Sequence, residues 1–172
     1  SQIRLLFLTL LFMRKIEIAT SATVFNDVSE LSLEDKMLMD KAIEAREKAY
    51  APYSKFNVGA ALLLENNKIV LGNNQENAAY PSGMCAERVA VWKAGSEYPN
   101  VKILKLAISA SSTITKVNKP VGPCGACRQS LSEYEIKQKQ PFPVIFMGEF
   151  GEIVKTESLD SLLPFSFDSS YL

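Results

Sequence analysis

The sequence predicts an α/β protein, a three-layer α/β/α sandwich built on one five-stranded mixed sheet. Segments of strand length alternate with segments of helical spacing, in the order α-β-β-α-β-α-β-β-α. Strands separated by helices favour one sheet with helices on both faces. The 172 residues, 47% hydrophobic and 22% charged, are enough for one globular domain with its own core.

Local residue patterns mark where these elements begin and end. Ser32 and Asp35 have the spacing of a capping box, and Pro52 stops the helix that they open. Asn67 tolerates the positive φ of a hairpin turn, and Gly95 is predicted as a helix C-cap. Helices are predicted over about 33–50, 84–94, 124–137 and 158–163, and strands over about 56–64, 68–76, 102–110, 143–147 and from 153. The two strands that follow the second and third helices are predicted to run parallel.

The N-terminal residues 1–31 are predicted as an arm or extension, and residues 32–172 as a single domain. An apolar run over 3–13 has eleven residues. It is too short to cross a bilayer, which takes roughly 20. A signal-peptide core, an extension ahead of a natural start at Met13, and an arm packed on the domain remain alternatives. We expect no membrane-spanning segment.

Charge and histidine content exclude several classes of function. The chain has 19 basic and 19 acidic residues, with no Lys/Arg block, so a long nucleic acid is a poor candidate partner. A small, nearly neutral substrate fits better. The chain has no histidine, which rules out a Ser-His-Asp or Cys-His catalytic pair. A general base must therefore be a carboxylate, lysine, tyrosine or metal-bound hydroxide.

All three cysteines lie in two short motifs that suit one Zn²⁺ ion. Cys124 and Cys127 are three apart at a predicted helix start, so their sulfurs share a face, and Cys85 opens another helix. Helix N-termini stabilise the thiolates that zinc requires. Three protein ligands leave the fourth zinc position open, as in a catalytic site. An odd number of cysteines and a CxxC spacing indicate a reducing compartment, and we expect a cytoplasmic protein.

Two charged residues next to Cys85 are candidates for the chemistry. Glu87 is placed to pass protons between water and a substrate, although an acid also simply favours a helix N-terminus. Arg88 is predicted to offset the negative charge of the thiolates by pairing with a ligand sulfur. The alternatives for the cysteines themselves are a structural zinc knuckle or buried free thiols.

Two motifs together resemble the signature of the zinc-dependent cytidine deaminases. They are Cys85-Ala86-Glu87-Arg88 and Pro123-Cys124-Gly125-Ala126-Cys127-Arg128-Gln129. The resemblance implies one zinc per subunit, held by the three cysteines. It implies hydrolytic deamination of cytidine and 2′-deoxycytidine to uridine and 2′-deoxyuridine in pyrimidine salvage. Zinc-bound hydroxide would attack C4, Glu87 would shuttle the protons, and ammonia would leave.

The same resemblance assigns the nucleoside contacts and an assembly. Asn74 and Glu76 alternate at a strand end, so their side chains face one side, as two ligands of a ribose would. An aromatic ring such as that of Phe56 stacks on a base with about 1–3 kcal/mol. The small three-cysteine deaminases are homotetramers in which a C-terminal phenylalanine reaches the site of a neighbouring subunit. Phe167 matches that position, and Phe165 is the alternative. The assigned substrate-binding residues are Phe56, Asn74, Glu76, Ala86 and Phe167.

Other functions stay open at this point. Deamination of a related aminated base or of a nucleoside antibiotic is a second enzymatic hypothesis. The pair Asn74 and Glu76 favours a nucleoside over a free base. A nucleic-acid editing module is disfavoured by the zero net charge. A zinc scaffold without catalysis would not depend on Glu87.

Overall fold

A computed structural model describes residues 13–172, so the predicted N-terminal apolar run lies almost wholly outside the described residues. Of the helices formed by these residues, none is long and apolar enough to cross a membrane. The helices are α1 (Leu33–Arg46), α2 (Ala86–Glu97) and α3 (Gly125–Gln138), and the strands are β1 (Thr23–Phe25), β2 (Phe56–Leu64), β3 (Ile69–Asn73), β4 (Ile103–Ser112), β5 (Val144–Met147) and β6 (Ile153–Thr156).

The strands form one mixed sheet in the order β1-β6-β5-β4-β2-β3. The α/β class is confirmed, but the sheet has six strands in the described residues rather than five. The extra strand, β1, pairs antiparallel with β6 and comes from the predicted arm. Its three residues are too few to show a periodic pattern. The predicted antiparallel hairpin of β2 and β3 and the predicted parallel pair of β4 and β5 are both confirmed.

Helix α1 covers one face of the sheet, and α2 and α3 cover the other. The alternation of side chains along each strand separates the core into two clusters. On β2, Ala61 packs towards α1, whereas Leu62 belongs to the cluster beneath α2 and α3. On β4, Ala107 and Leu106 divide in the same way. Both faces of the sheet are therefore buried beneath helices.

Helix boundaries agree with the sequence at the start of α1 and differ elsewhere. The Ser32 hydroxyl accepts a hydrogen bond from the Asp35 N–H at 3.1 Å, as predicted for an N-cap. Helix α1 ends at Arg46, before residue 50. The prediction for Gly95 was wrong because it lies inside α2, where a Cβ atom would stand 2.5 Å from Tyr134 Oη of α3. The predicted helix over 158–163 forms turns instead.

Two strand glycines let helices lie close against the sheet. A side chain at Gly59 of β2 would overlap the Ala42 carbonyl of α1. A side chain at Gly72 of β3 would overlap the carbonyl of Ala86, the first residue of α2. Because no Cβ separates them, the first turn of α2 lies directly on β3.

Candidate active site

The three cysteines converge where α2 and α3 begin. Cys85 and Cys124 are the N-caps of these helices, one residue before each regular helix begins, and Cys127 is buried in the first turn of α3. The Sγ atoms all lie within 4.8 Å of one another. The separation is 4.0 Å between Cys85 and Cys124 and 3.6 Å between Cys124 and Cys127. Tetrahedral zinc with Zn–S bonds of 2.3 Å needs sulfurs roughly 3.8 Å apart, so the trio fits this ion.

The helix ends and neighbouring groups favour ionised sulfur at Cys85. A hydrogen bond from the Cys127 thiol, assisted by the Arg88 guanidinium and opposed by burial, lowers the pKa of Cys85 to about 5. The same hydrogen bond, together with burial, raises the pKa of Cys127. Zinc binds thiolates, so metal binding displaces the proton that Cys127 retains.

Arg88 lies against the thiolate cluster. Its Nη2 atom donates to Cys85 Sγ at 3.4 Å, and its guanidinium lies 5.8 Å from the ring centroid of Trp92. The hydrogen bond to Cys85 raises the pKa of Arg88, which stays a cation. The structure thus provides the sulfur contact that was predicted, while the effect of Arg88 on zinc chemistry stays a prediction.

Glu87 is buried beside the sulfurs, with 5% of its surface exposed. Burial, supported by the negative charge of Cys85, raises the pKa of the Glu87 carboxyl. A carboxyl group with a raised pKa can both accept and return a proton near neutral pH. The helix N-terminus alone would have the opposite effect, because it stabilises the carboxylate.

A cavity of about 630 Å³ opens beside the cysteines. Of the predicted substrate-binding residues, the structure brings Phe56, Asn74, Glu76 and Ala86 into its wall together with Glu87. It is lined by Tyr53, Ser54, Phe56, Val58, Asn74, Glu76, Asn77, Tyr80, Gly83, Met84, Cys85, Ala86, Glu87, Arg88, Ile108, Val121, Gly122 and Cys124.

Asn74 and Glu76 are each fixed by backbone groups, which leaves part of each side chain free. Asn74 Oδ1 accepts from the Val58 N–H at 2.8 Å, and Asn74 Nδ2 donates to the Phe56 carbonyl at 2.9 Å. The second Nδ2 proton is available, because an amide nitrogen has two donors. Glu76 Oε2 accepts from the N–H groups of Tyr53 and Ser54 at 2.9 and 3.2 Å. Hydrogen bonds from Ser54, assisted by the Tyr53 N–H, lower the pKa of Glu76.

Phe167 does not line this cavity. Phe167 is 58% exposed, and its ring stacks on that of Tyr171 with centroids 5.5 Å apart. Phe165 is 79% exposed and has a φ of 61°. Both side chains are therefore largely exposed, and neither belongs to the cavity wall of its own chain.

Several lining residues were missed by the sequence analysis. Tyr53 and Ser54 hold Glu76 through their backbone N–H groups, a role that side-chain type does not indicate. Val121 and Gly122 line the cavity because they directly precede Pro123 of the second cysteine motif. Their position next to that motif is the one pattern that points to them.

The fold and the site define a zinc protein whose metal is held by three thiolates beside a buried carboxyl group. Residues 32–140 match the family described as "Cytidine and deoxycytidylate deaminase zinc-binding region". A cytidine deaminase of Halalkalibacterium halodurans is 39% identical over 135 residues, which cover 78% of this chain and 95% of that protein. One of Sporosarcina psychrophila is 41% identical over 146 residues, or 85% of this chain and 95% of that protein.

Solved structures agree with the sequence relatives. The crystal structure of cytidine deaminase from Burkholderia pseudomallei is 36% identical and superposes with a TM-score of 0.67, over 80% of this chain and 100% of that one. That from Mycobacterium tuberculosis is 30% identical with a TM-score of 0.60, over 80% of this chain and 99% of that one. The chain belongs to the zinc-dependent cytidine deaminase family, and Cys85, Cys124 and Cys127 hold its zinc ion.

Proposed function

We propose that the protein hydrolyses cytidine and 2′-deoxycytidine to uridine and 2′-deoxyuridine, with release of ammonia. The observation that carries this proposal is a buried Glu87 carboxyl group in the wall of a nucleoside-sized cavity, next to three thiolates that suit zinc. The family membership supports the same reaction. When bound, zinc supplies Lewis-acid activation of a water molecule.

Glu87 moves the protons in this proposal. Water adds its oxygen to C4 of the base, and both of its protons must leave that oxygen. Glu87 delivers one proton to N3, where it stays, and the other to the amino nitrogen, which departs as ammonia when the C4–N bond breaks. The raised pKa of Glu87 supports this role, because the group accepts and returns protons without a large energetic penalty.

The other residues of the cavity hold the nucleoside. The Phe56 ring stacks on the base. The free Nδ2 proton of Asn74 and the unoccupied Oε1 of Glu76 bind sugar hydroxyls as donor and acceptor. Ala86 is the first residue of α2, so its backbone N–H has no partner within the helix and is available to the base.

The charge of the cavity supports a nucleoside over a nucleotide. Its lining includes the carboxyl groups of Glu76 and Glu87 and the sulfurs of Cys85 and Cys124, against the single guanidinium of Arg88 among these lining residues. Arg88 is already engaged by Cys85. A phosphate group would add negative charge to this cavity and lose affinity.

We further propose a cytoplasmic homotetramer. Three cysteines that form no disulfide at the metal site persist in a reducing compartment, which supports the cytoplasm. The exposed rings of Phe165 and Phe167 support a contact with a neighbouring subunit, with Phe167 reaching the neighbour's cavity.

A substrate panel tests the reaction. The zinc-loaded protein is mixed with cytidine, 2′-deoxycytidine, deoxycytidylate, adenosine and guanine, and ultraviolet absorbance and ammonia release are followed with and without a chelator. We expect chelator-sensitive turnover of the two cytosine nucleosides alone. No turnover of either would overturn the assignment, and a preference for deoxycytidylate would show that the cavity charge has been misread.

A further inference from the structure

One side chain of α3 connects two loops from distant parts of the sequence. Arg128 Nε donates to the Pro123 carbonyl at 2.8 Å, and Arg128 Nη1 donates to the Leu162 carbonyl at 2.9 Å. A guanidinium is planar and holds its N–H groups in fixed directions. A shift of one carbonyl therefore changes the geometry of the bond to the other.

The first of these carbonyls lies next to a zinc ligand. Pro123 is buried and directly precedes Cys124, the N-cap of α3. Cys124 is the exposed member of the α3 pair, whereas Cys127 is buried within the helix. The position of Cys124 Sγ thus depends more on the loop before it than on helix packing.

The second carbonyl lies in the C-terminal segment, defined here as residues 157–167. Leu162 packs against the core cluster beneath α2 and α3. Two more α3 side chains hold the segment: Glu135 accepts from the Leu159 N–H at 3.0 Å, and Gln129 donates to the Phe167 carbonyl at 2.8 Å. Of these three anchors, Arg128 alone also contacts the loop of Cys124.

We propose that Arg128 is a positioning residue that couples zinc binding to the order of the C-terminal segment. With the guanidinium in place, a correctly seated Cys124 and a docked segment stabilise each other. Without the guanidinium, zinc binds more weakly, and the amide hydrogens of the C-terminal segment exchange with solvent more rapidly. This inference rests on the zinc site and not on the proposed substrate.

The first test compares zinc affinity among variants. Arg128→Gln removes the positive charge and the two guanidinium nitrogens that donate to different carbonyls. Arg128→Lys keeps the charge but has a single donor nitrogen. Lys137→Gln is the matched control, because Lys137 also lies on α3 and donates to a carbonyl, that of Pro99 at 3.1 Å, far from the zinc. Competition with a chromophoric chelator should show about 10-fold weaker binding in Arg128→Gln, the lower end of effects seen for residues that orient metal ligands. Arg128→Lys should lie between it and the wild type, and Lys137→Gln should match the wild type.

The second test uses the reciprocity of coupling. Hydrogen exchange of residues 157–167 is measured with zinc and after chelation, with β2 as an internal reference. Chelation should speed exchange of the segment in the wild type and have no further effect in Arg128→Gln. Zinc affinity of Arg128→Gln within twofold of the wild type, or an equal chelation effect in both proteins, would overturn the proposal. If Arg128→Gln fails to fold by circular dichroism, Arg128→Lys replaces it, and wild-type zinc affinity together with a wild-type chelation effect in that variant would overturn the proposal.

Discussion

The pKa of a buried carboxyl group is shifted in opposite directions on the two faces of the sheet. On the α1 face, Asp35 forms ion pairs with Lys105 of β4 and with Lys155 of β6, the latter at 3.1 Å. Burial raises the pKa of Asp35, but the hydrogen bonds and charges of the two lysines outweigh it and lower the pKa overall. On the α2 and α3 face, burial beside the Cys85 thiolate raises the pKa of Glu87.

The difference separates residues that stabilise the fold from residues that perform chemistry. Asp35 is satisfied by the chain itself and holds α1 against two strands. Once the three cysteines are deprotonated to bind zinc, their negative charge exceeds what the neighbouring Arg88 compensates, so this cluster needs a cation. Two carboxyl groups whose pKa values are pushed apart by their environments are a recognised mark of separate roles.

The largest expected effect is the removal of a ligand on the α2 and α3 face. Cys127→Ser should lose bound zinc, because the buried thiolate ties the two helix N-termini to the metal. Activity should fall by more than about 100-fold, the upper range for residues that merely support ligands. Metal analysis and turnover check this, with Ser130→Ala on the same helix as the control. Full zinc content in Cys127→Ser would contradict the assigned ligand set.

Glu87→Gln should lower turnover by about 10²–10⁴-fold, the contribution of general acid–base catalysis. Zinc content and nucleoside binding should persist, because the amide replaces the proton-carrying group at similar volume. Steady-state kinetics and calorimetric titration measure both quantities. Glu97→Gln, at the exposed end of the same helix, is the control. Unchanged turnover would indicate a zinc scaffold instead of an enzyme.

Asp35→Ala should act on stability alone. It leaves the Lys155 ammonium without a carboxylate and Lys105 with only the exposed Glu34 at 3.6 Å, and breaking a buried ion pair costs about 3 kcal/mol. Urea unfolding should show this loss, while turnover per folded molecule stays at the wild-type level. Asp40→Ala, on the exposed side of α1, should change little. A change in turnover comparable to that of Glu87→Gln would remove the distinction between the two faces.

The smallest expected effect is a difference in acid sensitivity. The pKa of Asp35 is lowered on folding, so its contribution is present above its unfolded pKa of about 3.9 and is lost as pH falls through the folded pKa. The free energy of unfolding of the wild type should therefore fall more steeply below about pH 4 than that of Asp35→Asn. Urea titrations at a series of pH values measure both slopes. Parallel curves would mean that the lysines do not stabilise the ionised form.

The zinc motifs could be predicted because ligand type and spacing are local properties of the sequence. Cys124 and Cys127 are three residues apart, and no other residue type in a histidine-free chain offers the same chemistry. The Ser32 cap and the β2–β3 hairpin were predictable for the same reason.

Features fixed by distant contacts could not be predicted. Strand β1 forms because β6 offers it an edge, and Asp35 meets Lys155 across 120 positions of sequence. Gly95 looks like a helix stop, but its role is to admit Tyr134 of α3. The backbone of the C-terminal segment is held by side chains of α3. The helix predicted there from the local sequence pattern therefore does not form.

Gly72 of β3 sets how closely the first turn of α2, and with it the zinc ligand Cys85, lies against the sheet. Because this residue has no side chain, the backbone of α2 rests on β3 and its N-cap sulfur is set at a fixed height. A methyl group there would lift the helix and move one corner of the coordination polyhedron, although Gly72 itself touches no ligand or substrate. A redesign of the cavity for bulkier nucleosides should therefore vary the residues that line its opening and keep Gly72 unchanged.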